Sequence, residues 1–352
     1  MVRVLIVDDS LFARKILTDI LSSDDDILVV GEAKNGKEAL EKIPVLKPDL
    51  ITLDIVMPVM DGIATLEKIV SQYNLPVIMV SNLTQEDAIL TLEALDKGAI
   101  DFIPKPNNIF SLNKQTIRSQ IIDKIKMAAK CNVNVKPIMR ASDDAVKESI
   151  TSKSSLKDSK DGFDYIIAIG SSTGGPKALQ QVIPLLPKDI NASIVIVQHM
   201  PPKFTKSLAE RLNNISNINV KEGEDGDILT KGNCYIAPGD FHMEVVQRGK
   251  DYVIRLNKDE PIKGLRPSVD VLMNSVAKLD GINKIGVIMT GMGADGSKGI
   301  ISLKKSNGFT IAQDEESSVI FGMPKAAINT NCIDKIVPLN HIADEIIRKV
   351  EV

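Results

Sequence analysis

From residue 2 to about 130 the sequence alternates short β-branched runs with amphipathic stretches, a rhythm that fits a parallel sheet wound with helices. Five such units are legible, with apolar runs at 2–7, 27–30, 49–53, 76–80 and 100–103. A last helix is expected around Ile117, Ile121 and Ile125, whose spacing of four makes one buried stripe on a polar segment. A second β-rich pattern starts near Phe163 with the run YIIAIG and continues at 193–197 and 285–290. HMEVVQ and DYVIRL flank the turn residues Arg248, Gly249 and Lys250, which reads as an antiparallel hairpin attached to a parallel sheet.

Between the two patterns, residues 141–162 are rich in Ser, Lys and Asp and contain no aromatic residue until Phe163. Such a stretch cannot bury enough surface to order itself and reads as a linker. A chain of 352 residues has room for two domains. The expected division is 1–130, a linker over 131–162, and 163–352.

Charge and residue counts exclude several kinds of chemistry. With 43 basic and 46 acidic residues intermixed, the chain offers no extended positive surface for a phosphate backbone, so no nucleic-acid partner is expected. The three cysteines are far apart in the chain and suggest neither a disulfide framework nor a zinc ribbon. The three histidines include no HExxH pair. The start, MVRVLIVDDS, turns acidic where a signal peptide would stay apolar, and no apolar run approaches the roughly 18 residues of a spanning helix. A soluble, cytoplasmic protein without membrane insertion is expected.

Asp8 and Asp9 follow the first expected strand and Asp54 the third, so a doubly wound sheet would bring three carboxylates to one edge. Singly, strand-end acids read as solvated caps. Together they repel unless a cation compensates, and a hard oxygen-binding ion such as Mg²⁺ could do so while bridging phosphoryl oxygens. Ser81 follows the fourth strand, and Lys105 with Pro106 the fifth. The acid pair, Asp54, Met57-Pro58, Asp61-Gly62, Ser81 and Lys105-Pro106 resemble the response-regulator receiver family over the first third of the chain. The resemblance implies a flavodoxin-like five-stranded parallel sheet and phosphorylation of Asp54 by a histidine kinase. It further implies Mg²⁺ held by Asp8, Asp9, Asp54 and the Val56 carbonyl, and a switch through Ser81, Phe102 and Lys105.

In the second domain, Gly170-Ser171-Ser172-Thr173-Gly174 directly follows an apolar run and contains G-x-S-x-G with Ser172 at its centre. Alone, such a turn could equally be a phosphate cradle or a plain loop. His199 ends the run IVIVQ, and Asp295 lies just past GVIMT among glycines. Three strands would thus deliver Ser172, His199 and Asp295 to one carboxyl edge, supplying nucleophile, base and orienting acid. The chain order Ser, His, Asp differs from that of the α/β-hydrolases, so the motif does not place the domain in that fold. His242 reads as a satisfied loop histidine or a cleft residue, and His341 as surface.

AIGSSTGGP, VQHMPP, YIAPGDFH, RPSVDVL and MTGMGADGSKG together resemble the catalytic domain of the chemotaxis protein-glutamate methylesterase family across almost all of 163–350. The resemblance implies a doubly wound α/β domain with Ser172 as nucleophile, His199 as general base and acid, and Asp295 orienting the imidazole. The amides of Thr173 and Met292 become the oxyanion donors. The family usually has alanine where this chain has Ser171. The implied activity is hydrolysis of glutamate methyl esters, and deamidation of glutamine, on methyl-accepting chemoreceptors, with no cofactor for the hydrolysis. Rival readings are an esterase of another substrate, a phospho-switched binding module with a vestigial triad, and a transcriptional regulator. The complete Ser, His, Asp set argues against the module, and the low positive charge against the regulator.

Overall fold

The computed structural model describes residues 1–105, 115–131 and 162–351; most of the expected linker and Pro106 lie outside the described residues. Each of the five apolar runs of the first third becomes a strand: β1 Val2–Val7, β2 Ile27–Ala33, β3 Leu50–Asp54, β4 Val77–Ser81 and β5 Asp101–Pro104. They pair in parallel in the order β2-β1-β3-β4-β5, the flavodoxin-like arrangement. Helices α1 Leu11–Leu21, α2 Gly36–Leu46, α3 Gly62–Tyr73 and α4 Gln85–Asp96 begin at Ser10, Asn35, Asp61 and Thr84. Each of these caps accepts a hydrogen bond from an amide three residues on, satisfying one of the orphan donors of the first turn. Helix α5, Gln115–Ala128, buries Ile121 and Ile125 against the β1 and β4 side chains, as its spacing predicts.

The second sheet has seven parallel strands in the order β14-β13-β12-β6-β7-β9-β8. Its middle strands are β6 Tyr165–Ser171, β7 Ala192–Gln198 and β12 Asn283–Ile288, and its outer ones β8 Asn219–Glu222, β9 Asn233–Ile236, β13 Phe309–Gln313 and β14 Lys335–Val337. Alternation along β6 separates two cores. Ile167 and Ile169 pack with Leu179 of α6 (Gly175–Val182) and Phe204 and Leu208 of α7 (Phe204–Ile215). Ile166 and Ala168 belong to the opposite core, with Leu272 of α8 (Val269–Ala277) and Ile300 of α9 (Ser297–Lys305). Helices α10 Met323–Ile328 and α11 Ile342–Glu351 complete the layers.

The hairpin β10 His242–Arg248 and β11 Asp251–Asn257 forms where expected, with Gly249 at φ 63° in a two-residue turn. It is not hydrogen-bonded into the parallel sheet, which corrects the sequence expectation; it forms its own two-stranded sheet. Met243, Val245 and Ile254 bury its apolar side in the same core as α8, and backbone hydrogen bonds tie β11 to residues 226–229, the Ile254 amide donating to the Asp227 carbonyl and the Leu229 amide to the Tyr252 carbonyl, each at 2.8 Å.

The first apolar core continues across the two units, from Ile51 and Leu53 through Leu92 and Leu95 of α4 to residues of α6 and α7. Polar contacts accompany it: Asp96 pairs with Arg211 and accepts from Gln180 Nε2 at 3.0 Å.

Candidate functional site

The chain passes from β6 to β7, β8 and β9 on one side and returns to β12, β13 and β14 on the other, so the winding reverses beside β6. The carboxyl edge at such a reversal is where open α/β sheets bind ligands. Ser172 leaves β6 there, His199 leaves β7, and Asp295 lies in the turn after β12.

Asp295 is held by five donors. Its Oδ2 lies 2.8 Å from His199 Nε2 and accepts from the Val269 amide at 2.7 Å. Its Oδ1 accepts from Ser268 Oγ at 2.8 Å and from the amides of Asp270 and Gly296 at 3.0 and 3.1 Å. Two of these donors open α8, where the helix dipole favours a negative charge. Burial works to raise this carboxyl, but the His199 hydrogen bond and charge, together with the amides of Asp270 and Val269, outweigh it and hold the group at about 2. The carboxylate therefore stays ionised beside the imidazole.

Ser172 is part-exposed, whereas Ser171 is fully buried and donates to Gln198 Oε1 at 2.7 Å. The Ser172 amide donates to the Thr290 carbonyl at 3.0 Å, tying its turn to the strand that leads to Asp295. A Cβ at Gly291 would lie 2.8 Å from Ser172 Cβ, so glycine permits this approach. The amides of Thr173 and Met292 have no hydrogen-bond partner among the described residues, which suits them to receive an oxyanion. No hydrogen bond joins Ser172 to His199 among the described residues; both meet the side-chain amide of Gln198 instead.

His242 opens β10 and is buried, with Nε2 3.3 Å from the Glu260 carbonyl and Nδ1 unpartnered, so it is neither a loop residue nor fully satisfied as expected. His341 is exposed in the turn before α11.

In the first sheet, Asp8, Asp9 and Asp54 bring carboxylate oxygens within 4.8 Å of one another. Val56 lies in the exposed turn two residues beyond Asp54. Lys105 Nζ stands 2.8 Å from Asp54 Oδ2 and 3.1 Å from Asp8 Oδ1. Burial pushes the Asp54 carboxyl up to about 6 in spite of that lysine, with the Asp8 charge adding to the rise. Asp8 Oδ2 is buried without a partner, and so the cluster fits a divalent cation, which would supply the missing charge. Ser81 is buried with its Oγ 2.8 Å from Thr91 Oγ1, and its carbonyl accepts from the Lys105 amide at 2.6 Å.

Two contacts absent from the sequence reading link the sites. Thr173 Oγ1 donates to Asp101 Oδ2 at 2.5 Å, and Phe102 stacks on Phe204 with ring centroids 4.6 Å apart and planes 7° from parallel. Strand β5 thus touches both the turn of Ser172 and the helix that follows His199. Lys124 reinforces it, 2.9 Å from Asp101 Oδ2 and donating to the Phe102 carbonyl at 2.9 Å.

A receiver sheet carrying a metal-fitting acid cluster, docked on a parallel α/β domain with His199 paired to Asp295 and Ser172 at the same sheet edge, defines a response regulator with an α/β output domain. Comparison with known proteins narrows that class. The response regulator receiver domain family matches residues 4–116 and the CheB methylesterase family residues 167–346. A protein-glutamate methylesterase/protein-glutamine glutaminase of Pyrococcus abyssi is 47% identical over 350 residues, 99% of this chain and 94% of that protein. One of the same description from Halalkalibacterium halodurans is 48% identical over 348 residues, 99% of this chain and 98% of its own. The crystal structure of the Thermotoga maritima CheB methylesterase catalytic domain superposes with a TM-score of 0.52 at 44% identity, covering 53% of this chain and 99% of that one. The chain belongs to the CheB methylesterase family. Among the described residues no helix is long and apolar enough to cross a membrane.

Proposed function

We propose that this chain hydrolyses glutamate methyl esters, and deamidates glutamine, on chemoreceptors, under the control of phosphorylation at Asp54. Its curated relatives carry that pair of activities in their names. The observation that carries the reading is the five-donor seat of Asp295 against His199 Nε2, which leaves Nδ1 as the ring nitrogen available to Ser172.

Ser172 Oγ attacks the ester carbonyl and its proton passes to His199, while the developing oxyanion accepts from the Thr173 and Met292 amides. The tetrahedral adduct collapses to an acyl-serine, and the imidazolium gives its proton to the departing methoxide, releasing methanol. Water then gives a proton to His199 and attacks the acyl group, restoring Ser172 and leaving glutamate. With glutamine the first leaving group is ammonia.

Asp54 would accept a phosphoryl group from a histidine kinase. Asp8, Asp9 and Asp54, with the Val56 carbonyl, would hold Mg²⁺, which supplies positive charge against the phosphoryl oxygens. Lys105 already pairs with Asp54, and Ser81 and Phe102 would relay the change along β4 and β5. In the docked arrangement Asp101 holds Thr173 beside Ser172 and Phe102 stacks on Phe204, contacts that support reading it as the inhibited state, in which the receiver would hinder a bulky protein substrate. Methanol release from methyl-labelled chemoreceptor membranes should rise when the full chain is given a small-molecule phosphodonor and Mg²⁺, and Asp54→Asn should abolish that rise. A rate indifferent to phosphodonor would refute the control, and no methanol release would refute the substrate.

A further inference from the structure

Beneath the turn of Ser172 a single buried amide joins the ends of two strands. Gln198, the last residue of β7, is 2% exposed. Its Nε2 donates to the Ser172 carbonyl at 2.9 Å and to the His199 carbonyl at 3.3 Å. Both partners are carbonyls and can only accept, so chemistry fixes the amide orientation with nitrogen toward them. Its Oε1 must then face Ser171, whose hydroxyl is committed as the donor at 2.7 Å. The fold makes room for this amide: a Cβ at Gly175 would lie 2.0 Å from Oε1.

The strand ladder does not supply this link. The β6–β7 pairing ends at Ser171 and Gln198, followed by one further hydrogen bond from the His199 amide to the Ser171 carbonyl at 3.1 Å. Beyond that point the two chains diverge into the turns that carry Ser172 and His199, and Gln198 is the group that grips both. We propose that Gln198, oriented by the Ser171 hydroxyl, is the positioning residue that sets Ser172 and His199 relative to one another; the proposal rests on the reading of those two as nucleophile and base. Ser171 is then part of the clamp and not a competing nucleophile. An error of about 1 Å in such a constellation can cost on the order of 100-fold in rate.

The test uses the full chain with phosphodonor and Mg²⁺ on methyl-labelled chemoreceptor membranes, with reactive sites counted by a fluorophosphonate so that kcat refers to folded enzyme. Gln198→Leu should lower kcat about 10- to 100-fold with KM changed less than about twofold, since the substrate surface is untouched. Ser171→Ala, a milder change that keeps the fold even if Gln198→Leu does not, should lower kcat about threefold to tenfold. The double variant should be no worse than Gln198→Leu alone, because both changes disable one clamp. A lowered melting temperature with wild-type kcat per counted site, or losses that multiply in the double variant, would overturn the proposal. Ser172→Ala with wild-type methanol release would instead overturn the nucleophile assignment and the clamp with it.

Discussion

Asp101→Ala should release the output domain without phosphorylation. The Asp101 side chain is 9% exposed, so its hydrogen bond to Thr173 escapes most solvent screening. A hydrogen bond to a charged group contributes about 1.5–3 kcal/mol. At about 1.4 kcal/mol per tenfold, its loss shifts the docked-to-open equilibrium roughly 10- to 150-fold. Receptor hydrolysis by Asp101→Ala without phosphodonor should therefore rise about tenfold or more, up to the rate of the phosphorylated wild type, and phosphodonor should add little. Lys124 keeps the Phe102 carbonyl as a partner, so β5 is not left with a stranded cation. Thr173→Val removes the other half of the bond while preserving the Thr173 amide, and it should give a similar gain that does not add to the first. The assay is initial methanol release from receptor membranes for the two single variants and the double variant, each with and without phosphodonor. An unphosphorylated Asp101→Ala enzyme no faster than wild type would refute the idea that this contact restrains the active site.

Two further outcomes follow from the same geometry. Asp96→Ala breaks the pair with Arg211, but both side chains are about a third exposed, so the gain in unphosphorylated activity should be only about twofold to fivefold; a gain matching that of Asp101→Ala would contradict the ranking by burial. Because the Asp295 carboxyl is depressed from 3.8 to about 2 in the folded chain, it contributes stability that is present above the unfolded value and lost as pH falls toward 2. That is about 2 to 3 kcal/mol, so denaturant melts of wild type and Asp295→Asn should converge by about that amount between roughly pH 5 and pH 2, and parallel curves would exclude the ion pair as its source.

What the sequence revealed and what it hid have physical reasons. The five strands of the first sheet and the middle strands of the second are continuous apolar runs because helices or hairpins cover both their faces. Strand β8 reads NVKE and β14 reads KIV with two exposed residues, so neither leaves a hydrophobic run to detect. The hairpin was legible from its turn, but its detachment from the sheet depends on packing against α8, which periodicity does not encode. Ser172, His199 and Asp295 could be assigned to one sheet edge because Ser172 and His199 directly follow readable strands and Asp295 lies in the glycine-rich turn after another. Asp101 could not be matched with Thr173, since they lie 72 residues apart in separate units and share no local pattern. In the sequence Gln198 is only a polar residue at the end of the apolar run before His199, and its three hydrogen bonds are what single it out.

Ser172 as the nucleophile of a glutamate methylesterase carries the proposed chemistry. The most direct measurement is methanol release from methyl-labelled chemoreceptor membranes by the phosphorylated full chain and by its Ser172→Ala variant, at equal concentrations of folded protein. Wild type should release methanol steadily, and Ser172→Ala should fall by at least about 1,000-fold, as expected when a triad loses its nucleophile. Methanol release by Ser172→Ala within tenfold of wild type would show that another group attacks the ester.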